Sequence, residues 1–301
     1  MKTSVKAFRI LSALFLLSFS VYALLDTFLI PRVYADAANP QRTDTAAAAA
    51  QTLSCTLGET PQITDSSYSD GTLSVEIGRY RVGDSTVYVA DICTEDPKAL
   101  LTAFSQNSYG RNITAVSSET AEQVGAVLAV NGDNYGSREK GYVIRNGVLY
   151  RESSARDQED LVIWSDGSFS IIRESELSAG ELLEQGAWQV LSFGPGLLED
   201  GEILVDAQDE VDRAKASNPR TAIGQIGEGH YVLVVSDGRT DESEGLSLCE
   251  LAQFLQQLGV QTAYNLDGGG SSTMVFLGRV VNQPVGGRGG GQRAVTDIVY
   301  V

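Results

Sequence analysis

From Thr72 onward the chain is a succession of short β-rich runs broken at close intervals by turn residues, a pattern incompatible with a helical bundle. The runs read as Leu73 to Tyr80, Thr86 to Ile92, Tyr142 to Arg145, Val148 to Arg151, Leu161 to Trp164 and Ser168 to Ile172. Asn146-Gly147 and Asp166-Gly167 stand at two of the joints, and both dipeptides accept the positive φ angles of a tight hairpin turn. Helices are few. Ser178 with Glu181 and Ser247 with Glu250 fit the capping-box spacing, and the second opens the apolar set Leu248, Leu251, Phe254, Leu255 and Leu258, with Gly259 as its stop. Strands dominate without regular β-α alternation, which predicts an α+β fold: a mixed β-sheet, or pair of sheets, with a few packed helices. Asn131-Gly132-Asp133 and Asn265-Leu266-Asp267 each follow a predicted helix and strand and precede a strand-turn-strand, a weak internal echo.

The N-terminus is a separate matter. Lys2, Lys6 and Arg9 precede an apolar run from Ile10 to Ile30, long enough to span a bilayer as a transmembrane helix. Ala35-Asp36-Ala37 also reads as a small-residue cleavage site, so the run is either a signal-anchor or a cleaved signal peptide. Either way the remainder is expected outside the cytoplasm, membrane-anchored in the cell envelope or secreted. The expected organisation is a basic cytoplasmic tail over 1–9, the apolar helix over 10–30, a linker over 31–55 with its alanine run, and one domain over 56–301.

Composition removes several function classes. The formal charge of -17, from 39 acidic against 22 basic residues, with no basic run beyond the N-terminus, argues against nucleic acid as a partner. Cys55, Cys93 and Cys249 allow one disulfide at most and show no metal-site spacing; Cys249, in a helical apolar pattern, reads as a buried structural thiol. His230 is the only histidine, so Ser-His-Asp, Cys-His and multi-histidine zinc chemistry are excluded by count. Carboxylates, arginines and backbone remain.

Asp267-Gly268-Gly269-Gly270-Ser271-Ser272 lies between two predicted strands. Three successive glycines remove every Cβ, allow positive φ and let consecutive amides converge on an anion such as phosphate, while Ser271 and Ser272 add hydroxyl donors. A flexible hairpin is the plainer reading of the same glycines. Arg220, with Thr221, opens one predicted strand and Arg239 follows another through Asp237-Gly238; arginine's planar fork suits a phosphate, although each could be a surface residue. Asn131-Gly132-Asp133-Asn134-Tyr135-Gly136 ends a further apolar strand with groups suited to sugar hydroxyls, to a turn or to calcium.

With these residues in place, the sequence resembles the phosphodiester glycosidase family, whose members include the lysosomal uncovering enzyme. The resemblance is to bacterial members of the exopolysaccharide-related kind. It runs in order through Asn131 to Gly136, Gly141-Tyr-Val-Ile-Arg-Asn-Gly147, Ser192-Phe-Gly-Pro-Gly196, Asn218-Pro-Arg-Thr221, Asp237-Gly-Arg239, Asn265 to Ser272 and Arg293-Ala-Val-Thr-Asp297. It implies cleavage between the anomeric carbon and the phosphate oxygen of a glycan or glycopolymer phosphodiester, a substrate whose phosphate leaves as a stable anion. It implies Arg220, Arg239, Arg293, Thr221, Asn131, Asn265 and the Gly268, Gly269, Gly270, Ser271 and Ser272 loop as binding groups. Asp267, Asp133 and Asp237 are implied as the catalytic carboxylates. A carboxylate beside a bound phosphate is repelled unless a cation intervenes or its pKa is raised. A divalent cation, Ca or Mg, at Asp267 or Asp133 would resolve this, which keeps metal-assisted P-O cleavage as an alternative, with non-catalytic binding of an anionic envelope polymer as another.

Overall fold

In the computed structural model, the structure describes residues 17–22, 32–36, 57, 61–206, 217–287 and 289–301. Strands dominate, as the turn spacing predicts, and form three large sheets around one core, with a fourth, two-stranded sheet beside them. The largest has nine strands, in the order Glu202–Ile203, Gly196–Glu199, Thr262–Asn265, Arg220–Gly227, His230–Ser236, Ser85–Thr94, Leu73–Val82, Ser67–Ser69 and Gln62–Ile63. A five-stranded sheet contains the hairpins expected at Asn146-Gly147 and Asp166-Gly167; Asn146 (φ 51°), Gly147 (φ 75°) and Gly167 (φ 85°) take the positive φ those turns need. The third sheet runs Arg279–Val280, Met274–Phe276, Leu128–Asn131, Asp297–Tyr300 and Leu101–Phe104.

Three helices of the domain each cover the outer face of one sheet. Helix α1 (Ser117–Val124) sets Ala121 with Ala129, Val275 and Ile298 of the third sheet. Helix α2 (Ala179–Glu184) covers the second sheet through Leu182, and α3 (Leu248–Gln257) buries Leu248, Leu251, Phe254 and Leu255 against the nine-stranded sheet. Both expected capping boxes form, Ser178 with Glu181 and Ser247 with Glu250. The inner faces of all three sheets meet in a core containing Ile92, Val130, Ile163, Ile223, Tyr264, Leu266 and Met274, where each large side chain contributes ~1.5–3 kcal/mol of burial. The third sheet is thereby held against the ends of the Arg220–Gly227 and Thr262–Asn265 strands.

Two expectations change, at the linker and at Cys249, and the N-terminal apolar run lies mostly outside the described residues. The linker read over 31–55 contains a strand, Arg32–Asp36, antiparallel to Ser108–Arg111. Among the described residues no helix is long and apolar enough to cross a membrane; the Ile10 to Ile30 run lies outside them except for residues 17–22, which are helical and exposed. The tail over 1–9 also lies outside them. Cys249 is a free thiol but half-buried, because it sits at the edge of the α3 apolar face, with its Sγ 3.6 Å from the Val205 carbonyl oxygen. Cys93 is disulfide-bonded.

Candidate functional site

Alternation along the strands decides which predicted groups share a face. Ile223, Tyr264 and Leu266 point into the inter-sheet core, whereas Ala222 and Ala263 point to α3. Thr221 therefore faces the third sheet, where its hydroxyl donates to Asn131 Oδ1 (2.9 Å) and lies 3.2 Å from Ser272 Oγ. Arg220, its neighbour, falls on the opposite face; its Nε donates to the Leu246 carbonyl (2.8 Å) and its backbone N-H to Ser236 Oγ. The sequence grouped Arg220 and Thr221 in one binding set, and the strand period separates them.

The two halves of the internal echo come together here. The Asp267 amide donates to the Gly132 carbonyl (3.3 Å), and Asn131 Nδ2 donates to the Asp267 carbonyl (2.5 Å), with Asn131 Oδ1 also accepting from the Thr273 amide (3.2 Å). Asn131 is completely buried, and in this arrangement both ends of its side-chain amide are engaged in fixing the loop. Asn265 likewise braces the Gly194 carbonyl through Nδ2 (2.8 Å).

The glycine loop is tighter than a row of free amides. Gly269 N-H donates to the Pro219 carbonyl (2.7 Å), Ser271 N-H to Gly268 and Ser272 N-H to Gly269, which winds Gly269–Ser271 into a 3-10 turn. The expected five-amide cradle is not formed, because the Ser271 and Ser272 amides close the turn itself and the Gly269 amide is taken by the Pro219 carbonyl. What the missing side chains permit is close approach. A Cβ on Gly268 would lie 2.9 Å from the Pro219 carbonyl oxygen, one on Gly269 3.1 Å from Arg239 Nη2, and one on Gly270 2.8 Å from Gly286 Cα.

Two guanidinium groups flank this turn. Arg239, exposed and at φ 59°, is oriented by Asn218 Oδ1, which accepts from its Nε (3.1 Å) and Nη2 (2.7 Å). Arg293 lies against Gly270, and its Nη2 pairs with Asp267 Oδ2 at 2.8 Å. Ser271 completes a small network: its hydroxyl donates to Asp267 Oδ2 (2.5 Å) and accepts from Arg293 Nε (2.9 Å) and Nη2. Asp267 is 10% exposed at the side chain and Arg293 43%, so the carboxylate is recessed beneath a guanidinium that reaches solvent.

Asp133 does not share that opening. Its carboxyl is sealed inside, where Oδ1 pairs with Arg145 Nη2 (2.8 Å) and accepts the Tyr135 amide (3.1 Å), while Oδ2 accepts the Ser192 amide (2.7 Å). Arg145 Nη2 also reaches Asp297 Oδ2 (3.1 Å), and both carboxyls are fully buried. Burial opposes the charge on Asp133, but Arg145, the Ser192 amide and Asp297 outweigh it and hold its carboxyl below the usual range. Burial, reinforced by the charge of Asp133, pushes Asp297 up to about 7 against the pull of Arg145. Buried in this way, Asp133 braces the Tyr135 and Ser192 amides and stands apart from the opening at Asp267, where its contact with substrate was expected.

Asp237 is also recessed. Its Oδ1 accepts from the Gln283 amide (2.8 Å) and Asn282 Nδ2 (3.2 Å), and burial pushes its carboxyl above the usual range against those bonds. Asn282 further donates to the Ser272 carbonyl (3.0 Å), so Asp237 supports the far end of the loop. Among the described residues the clustered metal-ligand types are Asp91, Cys93 and His230, and the disulfide at Cys93 removes its thiolate; Asp267 and Asp133 form no such cluster. Two recesses, of about 770 Å³ beside Phe104 and Tyr300 and about 540 Å³ beside Glu159 and Leu204, include no residue of the 265–272 loop in their lining. We place the candidate site by its converging charges instead.

Arg145, Asp297, Asn282 and Gly286 escaped the sequence reading as site-forming residues. A charged residue in the apolar runs Tyr142 to Arg145 and Asp297 to Tyr300 was the available signal for the first two, since an inward charge in a strand demands a partner.

A family model described as "NAGPA: Phosphodiester glycosidase" matches residues 124–301. The SPbeta prophage-derived uncharacterized protein YomE of Bacillus subtilis (strain 168) is 28% identical over 255 residues, covering 79% of this chain and 38% of that protein. The N-acetylglucosamine-1-phosphodiester alpha-N-acetylglucosaminidase of Mus musculus is 32% identical over 183 residues, 55% of this chain and 35% of the mouse protein. The chain thus spans little more than a third of the length of either relative. The zebrafish catalytic domain of that mouse enzyme's namesake, auto-inhibited by its pro-peptide, superposes with a TM-score of 0.62 at 24% identity, over 76% of this chain and 82% of its own, a likeness of fold. Since the matched span contains the Asp267 loop, Arg239 and Arg293, and more than half of the sequence, this chain belongs to the phosphodiester glycosidase family.

Proposed function

We propose that the chain hydrolyses a sugar 1-phosphodiester in a glycan or glycopolymer, cleaving between the anomeric carbon and the phosphate oxygen. The observation that supports this most is the pair of guanidinium groups, Arg239 and Arg293, set against adjacent glycines with Asp267 recessed between loop and guanidinium. Arginine forks recognise phosphate oxygens in pairs, and glycines let an anion approach the backbone closely. Asp267 is then the carboxylate placed to act as base or nucleophile at the anomeric carbon, with the departing phosphate held by the arginines. Arg293 supplies beside Asp267 the positive charge that the sequence reading assigned to a divalent cation. The names of the mouse and zebrafish proteins favour an N-acetylglucosamine 1-phosphodiester as the first substrate to try.

The full chain incubated with an N-acetylglucosamine 1-phosphodiester is expected to release free sugar and a phosphomonoester. Release of sugar 1-phosphate would instead identify a phosphodiesterase, and tight binding without turnover would identify a binding module. We further place the domain outside the cytoplasm, a reading supported by the disulfide at Cys93. Resistance of the chain to protease added to intact cells, with cleavage after lysis, would contradict that location.

A further inference from the structure

We propose that Arg293 has two alternative partners, Asp267 in the empty site and the phosphate of the bound phosphodiester in the occupied one, and that its transfer uncovers the Asp267 carboxylate. The inference deepens the reading of this loop as a phosphodiester site and rests on it. Three observations support it. Arg293 makes its pair with Asp267 through Nη2 alone, with Nε directed to Ser271 Oγ (2.9 Å), so the guanidinium is not locked into a two-pronged carboxylate grip. Its side chain is 43% exposed while Asp267 is 10% exposed, so an arriving anion meets the guanidinium before the carboxylate. The guanidinium stands beside Gly270, one residue from the glycine that Arg239 contacts, so an anion over the Gly269–Gly270 backbone lies within reach of both arginines.

The physical reason for exchange is competition for one cation. A carboxylate and a phosphate on the same guanidinium repel each other, and the phosphodiester monoanion, with its charge shared over two non-bridging oxygens, offers a bidentate arrangement that Asp267 does not use. Swinging Arg293 toward the phosphate leaves Asp267 Oδ2 with the Ser271 hydroxyl as its remaining partner, and frees it to face the sugar. In this scheme Arg293 is a positioning residue for Asp267 and a binding residue for the phosphate.

Competition predicts an outcome that a purely structural ion pair does not. Inorganic phosphate is titrated into the full chain by calorimetry. Asp267→Asn, which removes the competing carboxylate, should bind phosphate several-fold more tightly than wild type while losing turnover. Arg293→Gln should bind it at least tenfold more weakly, and the double variant should match Arg293→Gln. Weaker or unchanged phosphate binding by a folded Asp267→Asn overturns the proposal. Wild type gives an independent readout if that variant does not fold. The Arg293 Nε-H resonance in 15N-arginine-labelled protein should shift on adding phosphate, and a signal unmoved at saturating phosphate also overturns it. These titrations need no turnover, so failure of the hydrolase reading appears separately, as absence of sugar release by wild type.

Discussion

Asp267 Oδ2 lies 2.8 Å from Arg293 Nη2, and the two residues come from segments joined only by the fold: Asp267 follows the Thr262–Asn265 strand, and Arg293 precedes the Asp297–Tyr300 strand of another sheet. The ion pair therefore ties the nine-stranded sheet to the third sheet at the place where the glycine loop crosses between them. It also answers the electrostatic difficulty of a carboxylate beside a phosphate, by providing a positive charge next to it.

Arg239 is exposed and held by the neutral Asn218 side chain, so its charge is available to a ligand and contributes little to folding. We predict that Arg239→Ala raises KM for a sugar 1-phosphodiester roughly tenfold, equivalent to ~1.4 kcal/mol, with Tm almost unchanged. Steady-state kinetics and thermal unfolding of the same preparation check this. An unaltered KM would remove Arg239 from the anion site.

Gly286 is a packing requirement. A Cβ there would fall 2.0 Å from the Gly270 carbonyl oxygen and 2.5 Å from Arg293 Cβ, both in the candidate site. Gly286→Ala should cost ~1–3 kcal/mol of stability and reduce turnover together, as expected when backbone must shift to relieve a clash. Gly227, where an added Cβ meets nothing within 4 Å, is the control, and Gly227→Ala should leave both quantities near wild type. Equal Tm values for the two variants would show that Gly286 is not packed on the loop as described.

The Asp133, Arg145 and Asp297 cluster predicts a pH signature. Asp297 keeps its proton in the native state up to about 7, whereas in the unfolded chain it loses it near its ordinary value of 3.8. Between those values the native state binds more protons, so this group's contribution makes stability fall as pH rises. Asp297→Asn preserves a donor toward Asp133 and cannot ionise. Its Tm relative to wild type should therefore climb steadily from pH 4 to pH 7, and parallel Tm profiles would refute the assignment.

Asp160 makes a related but separable prediction. It is fully buried, and burial, followed by the charge of Glu174, pushes its carboxyl well above the usual range. Its proton is bound in the native state above the unfolded value, so stability again decreases as pH rises through that range. Asp160→Asn should stabilise the protein at neutral pH and have no benefit near pH 3. Calorimetric unfolding at the two pH values is the check, and destabilisation at neutral pH would contradict it.

The fold class, both capping boxes and the hairpin at Asn146-Gly147 were legible because each depends on neighbours in sequence: a dipeptide, a three-residue spacing, or a period of two. The convergence of Asp267, Arg239 and Arg293 was legible as a motif order, but its geometry was not. Strand alternation puts Arg220 behind the sheet from Thr221, a consequence of one residue's difference in register that the pair's adjacency concealed. Asp133 looked like a site carboxylate because its partners, Arg145 and Asp297, are 12 and 164 residues away and no local pattern announces a buried pair. Glycines that suggested a row of free amides instead close a 3-10 turn, with the Gly269 amide captured by the Pro219 carbonyl, a residue 50 positions earlier in the chain.

The bond that is cut tests the account most directly. Turnover of an N-acetylglucosamine 1-phosphodiester by the full chain in H2 18O should place the heavy oxygen on the anomeric carbon of the released sugar and leave the phosphomonoester unlabelled. Heavy oxygen in the phosphate would contradict the account, because the attack would then be at phosphorus and the Asp267 carboxylate would not be acting at the sugar.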